Sequence, residues 1–192
     1  MYHLRRPSAA VLASLVSQQS AEALSYPEVG ISLGPSSSPG HHRLRAVRAV
    51  GSGEATFAAA RQAIDGWFGH ARAGATLQPP RPPIEADRTL ALALRVGPLW
   101  VTAACRIVAV VDEEHRYGFA YGTLPHHPAQ GEESFLAVRD PGTGGVQLEI
   151  TASSRPRAVL ARLGGPVGRW LQQSMAERYL DGFASAIHRS TR

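Results

Sequence analysis

From Thr89 to Ser153 the chain alternates with a period of two, and only turn-length segments interrupt the alternation. Leu90, Leu92, Leu94 and Val96 fall on one face, with Thr89, Ala91, Ala93 and Arg95 on the other. After the Gly97-Pro98 turn, residues 100–112 alternate Val101, Ala103, Cys105, Ile107, Ala109 and Val111 against Trp100, Thr102, Ala104, Arg106, Val108 and Val110. Asp112-Glu113-Glu114 and Asp140-Pro141-Gly142-Thr143-Gly144-Gly145 have the composition of hairpin turns. Further strands are expected over 115–124, 132–139 and 145–153. Parallel neighbours would need long crossovers, so this spacing demands an antiparallel meander.

Helical segments flank the meander. Residues 7–24 read as a short amphipathic helix with Pro7 in its first turn, rather than as an export leader. A loop rich in Gly, Pro and Ser follows at 34–40, then a strand at 41–50 with Arg48 intruding on its apolar face. Phe57, Ala60, Ile64 and Trp67 recur at helical spacing, so 54–68 is expected to be a helix. The segment 74–83, with four prolines, reads as a loop or edge strand. A helix is expected over 156–188, interrupted at Gly164-Gly165-Pro166, with Leu171, Met175, Tyr179, Phe183 and Ile187 as its buried stripe. The fold class is therefore α+β, with a curved antiparallel sheet and a long C-terminal helix laid across it.

Composition bounds the function. A chain of 192 residues with 44% hydrophobic and 18% charged residues can bury the core of one domain. The formal net charge is +5, yet every basic residue is Arg and they are scattered rather than gathered in a stripe. No nucleic-acid partner is expected on that ground. No apolar run reaches the length of a membrane span. The lone Cys105 excludes an internal disulfide and a Cys-based metal centre, and a cytoplasmic location is expected.

Several motifs resemble one family. Gly118-Phe119-Ala120-Tyr121-Gly122-Thr123-Leu124-Pro125, His127-Pro128 and Gly131-Glu132-Glu133-Ser134-Phe135 resemble the signature of the domain-of-unknown-function 1990 family of bacterial and plant proteins. Tyr26-Pro27-Glu28-Val29-Gly30, Ser154-Arg155-Pro156, Ala161-Arg162-Leu163-Gly164-Gly165-Pro166-Val167 and Arg178-Tyr179-Leu180 follow in the expected order. The resemblance covers about residues 26 to 187. His126 stands where the family looks to have Gly, and Ser153 where it looks to have an aromatic residue. The resemblance implies a START-like helix-grip (SRPBCC-like) fold with no assigned activity. It divides the chain into an N-terminal helical extension, residues 1–25, and one helix-grip domain, residues 26–192.

The candidate chemistry has two readings. In the leading one, the protein binds a small hydrophobic or amphipathic molecule between the sheet and the C-terminal helix. Tyr121, Thr123, Arg106, Arg155 and Tyr179 are the candidate ligand-binding residues. Arg106 and Arg155 stand out because a guanidinium in a sheet needs a partner, Glu133 or Glu149 for instance. Arg155 either anchors a ligand carboxylate or ties the last strand to the helix. In the alternative, an enzyme on the same scaffold (a cyclase, dehydratase or hydrolase) uses His127 and Glu133 as acid/base groups and Tyr121 as a hydrogen-bond donor. The cluster His126-His127 with Glu132-Glu133 equally fits a solvated loop. Cys105 reads as an inert buried thiol. No metal or cofactor is expected from the spacing of His, Cys, Asp and Glu. A third reading makes the N-terminal helix an exposed element that recruits a partner protein.

Overall fold

A computed structural model describes residues 2–35, 39–156 and 165–191. Its strands are β1 (Tyr2–His3), β2 (His42–Ser52), β3 (Thr76–Gln78), β4 (Thr89–Val96), β5 (Leu99–Asp112), β6 (Arg116–Thr123), β7 (Ala129–Arg139) and β8 (Gly145–Pro156). Its helices are α1 (Ala9–Gln19), α2 (Glu54–Asp65), α3 (Phe68–Arg72) and α4 (Gly165–Ser190).

The strands form one antiparallel sheet in the order β2-β8-β7-β6-β5-β4-β3, with β1 added beside the first residues of β5. From β4 to β8 each strand pairs with the next in sequence, as the short turns require. The first long strand, β2, pairs with the last, β8. The proline-rich segment supplies β3, a three-residue edge strand. Bulges interrupt the pairing between Ile107 and Ala109 of β5 and between Ala49 and Gly51 of β2. A bulge bends its strand and raises the local twist.

Helices pack on both faces of the sheet, while Arg45, Val47 and Ala49 on the outer face of β2 stay exposed. The inner face packs Leu90, Leu92, Ala103, Ile107, Phe119, Phe135, Leu148 and Ile150 against α2, α3 and α4. On the outer face Ala91, Ala93, Ala104 and Leu124 pack against Leu12 and Leu15 of α1. The small side chains at 91, 93 and 104 let α1 lie close to the strands. Burying each of these leucines contributes roughly 1.5–3 kcal/mol. The N-terminal helix is thus docked on the sheet through Leu12 and Leu15, with its opposite face exposed. Its first turn is capped by the Ser8 hydroxyl, which accepts from the Val11 N–H.

Two elements differ from the sequence reading. The helix expected over 54–68 ends at Asp65. The chain then turns through Trp67 in the left-handed region (φ 55°) and starts α3. The Trp67 indole N–H donates to the Pro82 carbonyl, which holds the turn under the proline-rich segment. The C-terminal helix does not open at Pro156, which ends β8. Residues 157–164, the first part of that expected helix, lie outside the described residues. Arg48, the intruder on β2, faces inward at the sheet edge and pairs with Glu177 and Asp181 of α4.

Candidate functional site

The signature strands β6 and β7 are paired so that Tyr121 lies opposite Glu133 and Phe119 opposite Phe135. Strand alternation sends these four side chains inward and their neighbours outward. On the inner face, the sheet and α4 line an open cavity of about 340 Å³. Leu92, Leu94, Val101 and Ala103 form one wall, with Leu171, Met175 and Tyr179 of α4 opposite. Tyr121, Thr123, His127, Glu133 and Ser154 bring polar atoms to an otherwise apolar lining.

Glu133 and Tyr121 form the polar centre of the cavity. The Tyr121 hydroxyl donates to a Glu133 carboxylate oxygen at 2.8 Å. Burial pushes the Glu133 carboxyl up from 4.5 to about 7, and the Tyr121 hydrogen bond only partly offsets this. Among the described residues no cation lies beside it to reverse the effect. Burial also raises both tyrosine hydroxyls well above their ordinary value, with the Glu133 charge adding to the shift. The Tyr121 and Tyr179 side chains are within hydrogen-bonding reach of each other.

Below this centre lies an aromatic cluster that surrounds His70 of α3. The imidazole ring is 4.6 Å from Tyr179, 4.7 Å from Trp67 and 4.8 Å from Phe135, centre to centre. His70 is completely buried, and neither ring nitrogen has a hydrogen-bond partner among the described residues. Burial lowers its pKa to about 3, so the ring is neutral throughout the physiological range. Sequence reasoning missed it. A single His beyond the last apolar repeat of a helix carries no signal of burial.

The four ionisable residues of the loop cluster divide between two faces. His127 lines the cavity, its Nδ1 lying 3.0 Å from the backbone nitrogen of Ala129. His126 turns the other way, toward Thr102 and α1, and its backbone N–H donates to Gln19. Glu132 is 2% exposed and points outward. Its carboxylate accepts from the Tyr26 hydroxyl, the Gly30 and Ser32 backbone N–H groups and the Ser32 hydroxyl, at 2.6–3.0 Å. The Tyr26–Gly30 motif and the Glu132 motif, a hundred residues apart, are therefore one structural unit. Gly122 belongs to it, because a Cβ there would stand 2.3 Å from the Tyr26 hydroxyl. Gly131 (φ 143°) belongs for a different reason: only a residue without a Cβ fits against the Ser153 carbonyl.

Arg106 and Arg155 correct the sequence reading. Arg106 sits on the outer face of β5, where its guanidinium donates to the Ser20 carbonyl at 2.7 Å and to the Thr89 hydroxyl. Inward-facing Cys105 and Ile107 force this orientation, and the Arg side chain ties down the end of α1. Arg155 lies outside the cavity as well and donates to Gln130 across the β7–β8 pair. Neither reaches the cavity wall. Thr123 does reach it, with its hydroxyl engaged by the Gly131 N–H and by Ser25. Tyr179 reaches it from α4. Cys105 is buried, and its thiol is pushed far up by burial. Among the described residues no three His, Cys, Asp or Glu side chains converge as a metal site would require. No described helix is long and apolar enough to cross a membrane.

Comparison with known proteins agrees with the motifs. A family model described as a domain of unknown function (DUF1990) matches residues 25–182. A UPF0548 protein of Deinococcus radiodurans is 35% identical over 199 residues, covering 93% of this chain and 95% of its own. Among solved structures, a START superfamily protein from Mycobacterium smegmatis superposes with a TM-score of 0.53 at 10% identity, over 78% of this chain and 99% of that one. The Zhui aromatase/cyclase from Streptomyces sp. R1128 superposes with a TM-score of 0.52 at 14% identity, over 79% and 96%. These structural likenesses establish the START-like architecture.

Proposed function

The chain belongs to the DUF1990 family, and from that premise we propose that it binds a small hydrophobic or amphipathic molecule in the cavity between the sheet and α4. The observation that carries this reading is the cavity itself. Its volume of about 340 Å³ falls in the range of small-ligand sites. Its walls are apolar, and the Tyr121–Glu133 pair gives one place where a polar end is recognised. The rest of the inner face is filled with large side chains, so the space is local rather than a general looseness of packing.

The START superfamily protein and the aromatase/cyclase share the scaffold, and their likeness supports a cavity-based role without choosing between binding and catalysis. One observation favours a second reading. A carboxyl with a pKa of about 7 inside an apolar cavity is poised to give or take a proton near neutral pH. On that reading Glu133 is the acid/base group and Tyr121 its hydrogen-bonding partner. Arg106 and Arg155 have no part in either reading, because both lie away from the cavity.

Native mass spectrometry of freshly purified protein, before and after solvent extraction, tests the binding reading. A bound mass of a few hundred daltons that extraction removes is expected. The critical comparison is Ala103→Phe, which fills the cavity from its β5 wall. A bound mass retained by that variant at full occupancy places the ligand elsewhere and overturns the reading.

A further inference from the structure

Glu133 is a half-buried acid without a counter-ion among the described residues. The chain carries 20 Arg and no Lys, yet among the described residues no Arg lines the cavity. The groups facing Glu133 are the Tyr121 hydroxyl from β6, Tyr179 from α4 and the Cys105 thiol from β5, and His127 lies on the same cavity wall. The tyrosines and the cysteine keep their protons at neutral pH because burial raises all three. Tyr121 satisfies one carboxylate position, and a carboxylate has about four acceptor sites.

We propose that the cavity selects ligands whose polar end is a cationic amine, received by the Glu133 carboxylate beside the Tyr121 and Tyr179 rings. This rests on the cavity-binding reading above and adds the charge of the ligand. Three considerations carry it. An ammonium group supplies a counter-ion and donates to the open carboxylate positions, a charge-assisted contact in a largely apolar site. Aromatic faces attract a cation, and two tyrosine rings stand at this point of the wall. An anionic head would meet an acid with no Arg among the described lining residues to compensate, which is the repulsive element that gives specificity. The nearly apolar remainder of the lining suits an alkyl or aryl body.

The ligand's charge also sets its pH dependence. Burial is what holds the Glu133 carboxyl near 7, so below that pH the group is largely protonated and attracts a cation weakly. Affinity for an amine therefore rises between pH 5.5 and pH 8, while affinity for an alcohol of the same body stays nearly level.

The test uses decylamine, decanol and decanoate, each displacing the neutral fluorescent probe N-phenyl-1-naphthylamine from the full-length chain. At pH 8 decylamine is expected to bind at least ten-fold tighter than decanoate, with decanol between them. The amine's advantage over the alcohol is expected to shrink several-fold at pH 5.5 and to vanish in Glu133→Gln at pH 8. Equal or tighter decanoate binding overturns the proposal, as does an amine preference that survives both low pH and Glu133→Gln. The wild-type pH series stands independently of whether the variant folds. Probe binding with no displacement by the amine removes the amine inference and leaves the cavity reading standing. Failure of the probe itself to bind removes both.

Discussion

At Glu132 a carboxylate accepts four hydrogen bonds on the outer face of β7, and at Glu133 the next carboxylate accepts one on the inner face. The chemistry of each follows from its partners. Glu132 holds the Tyr26–Ser32 segment onto the sheet, so Glu132→Ala strands several buried donors. The expected loss is about 2–4 kcal/mol in chemical denaturation. Glu133 behaves in the opposite sense. Its carboxyl titrates at 4.5 in the unfolded chain and near 7 in the folded one, so the folded state holds its proton more tightly. Stability from this group is fully present below pH 4.5 and is lost as pH rises through 7. Glu133→Gln is therefore expected to match the wild type near pH 4.5 and to exceed it by roughly 3 kcal/mol at pH 8. Urea titrations at the two pH values check this, and equal stabilities at pH 8 would contradict it. The period of two placed these residues on opposite faces, but both faces of β7 are largely buried over this stretch. No polar face marked the solvent side, so the alternation alone did not tell which glutamate meets the cavity.

The elements succeed one another much as the sequence implies, and the exceptions have local causes. The hairpins at 97–98, 112–114 and 140–145 are carried by turn residues, and the structure has them in place. The break between α2 and α3 was not legible, because helical spacing continues through Trp67 while the backbone there turns left-handed. Where α3 meets α4 the chain needs glycine. A Cβ at Gly182 would stand 2.6–2.8 Å from Arg72, the Phe68 carbonyl and Gly69. Gly182→Ala improves intrinsic helix propensity by up to about 1 kcal/mol, yet the expected net effect is a loss of roughly 1–3 kcal/mol from overpacking. A higher melting temperature for this variant would contradict the close crossing. The docking of α1 was equally hidden, since its apolar stripe says that it packs and not where. Arg106→Ala removes the tie between β5 and the end of α1. It is expected to cost about 1 kcal/mol and to leave ligand affinity unchanged, as binding assays on the folded variant will show.

On the scale of the whole molecule, the sheet has an outer layer, α1 with the Tyr26–Ser32 segment, and an inner layer of α2, α3 and α4. The outer layer is held by the Glu132 carboxylate, by the Arg106 and Arg43 guanidinium groups and by an apolar cluster that includes Leu12 and Leu15. The inner layer is closely packed around His70 at one end and open around Glu133 at the other. Family, fold class and the meander from β4 to β8 could be read from motifs and periodicity, but the pairing of β2 with β8 could not. The cavity could not, because a row of small side chains signals close packing and empty space alike, and only the position of α4 distinguishes them. The most direct test is titration of the protein with N-phenyl-1-naphthylamine, followed by fluorescence, in the wild type and in Ala103→Phe. The cavity account predicts saturable binding of one probe per chain and its loss in the filled variant at unchanged melting behaviour. Absence of saturable binding, or binding that the filled variant retains in full, would contradict it.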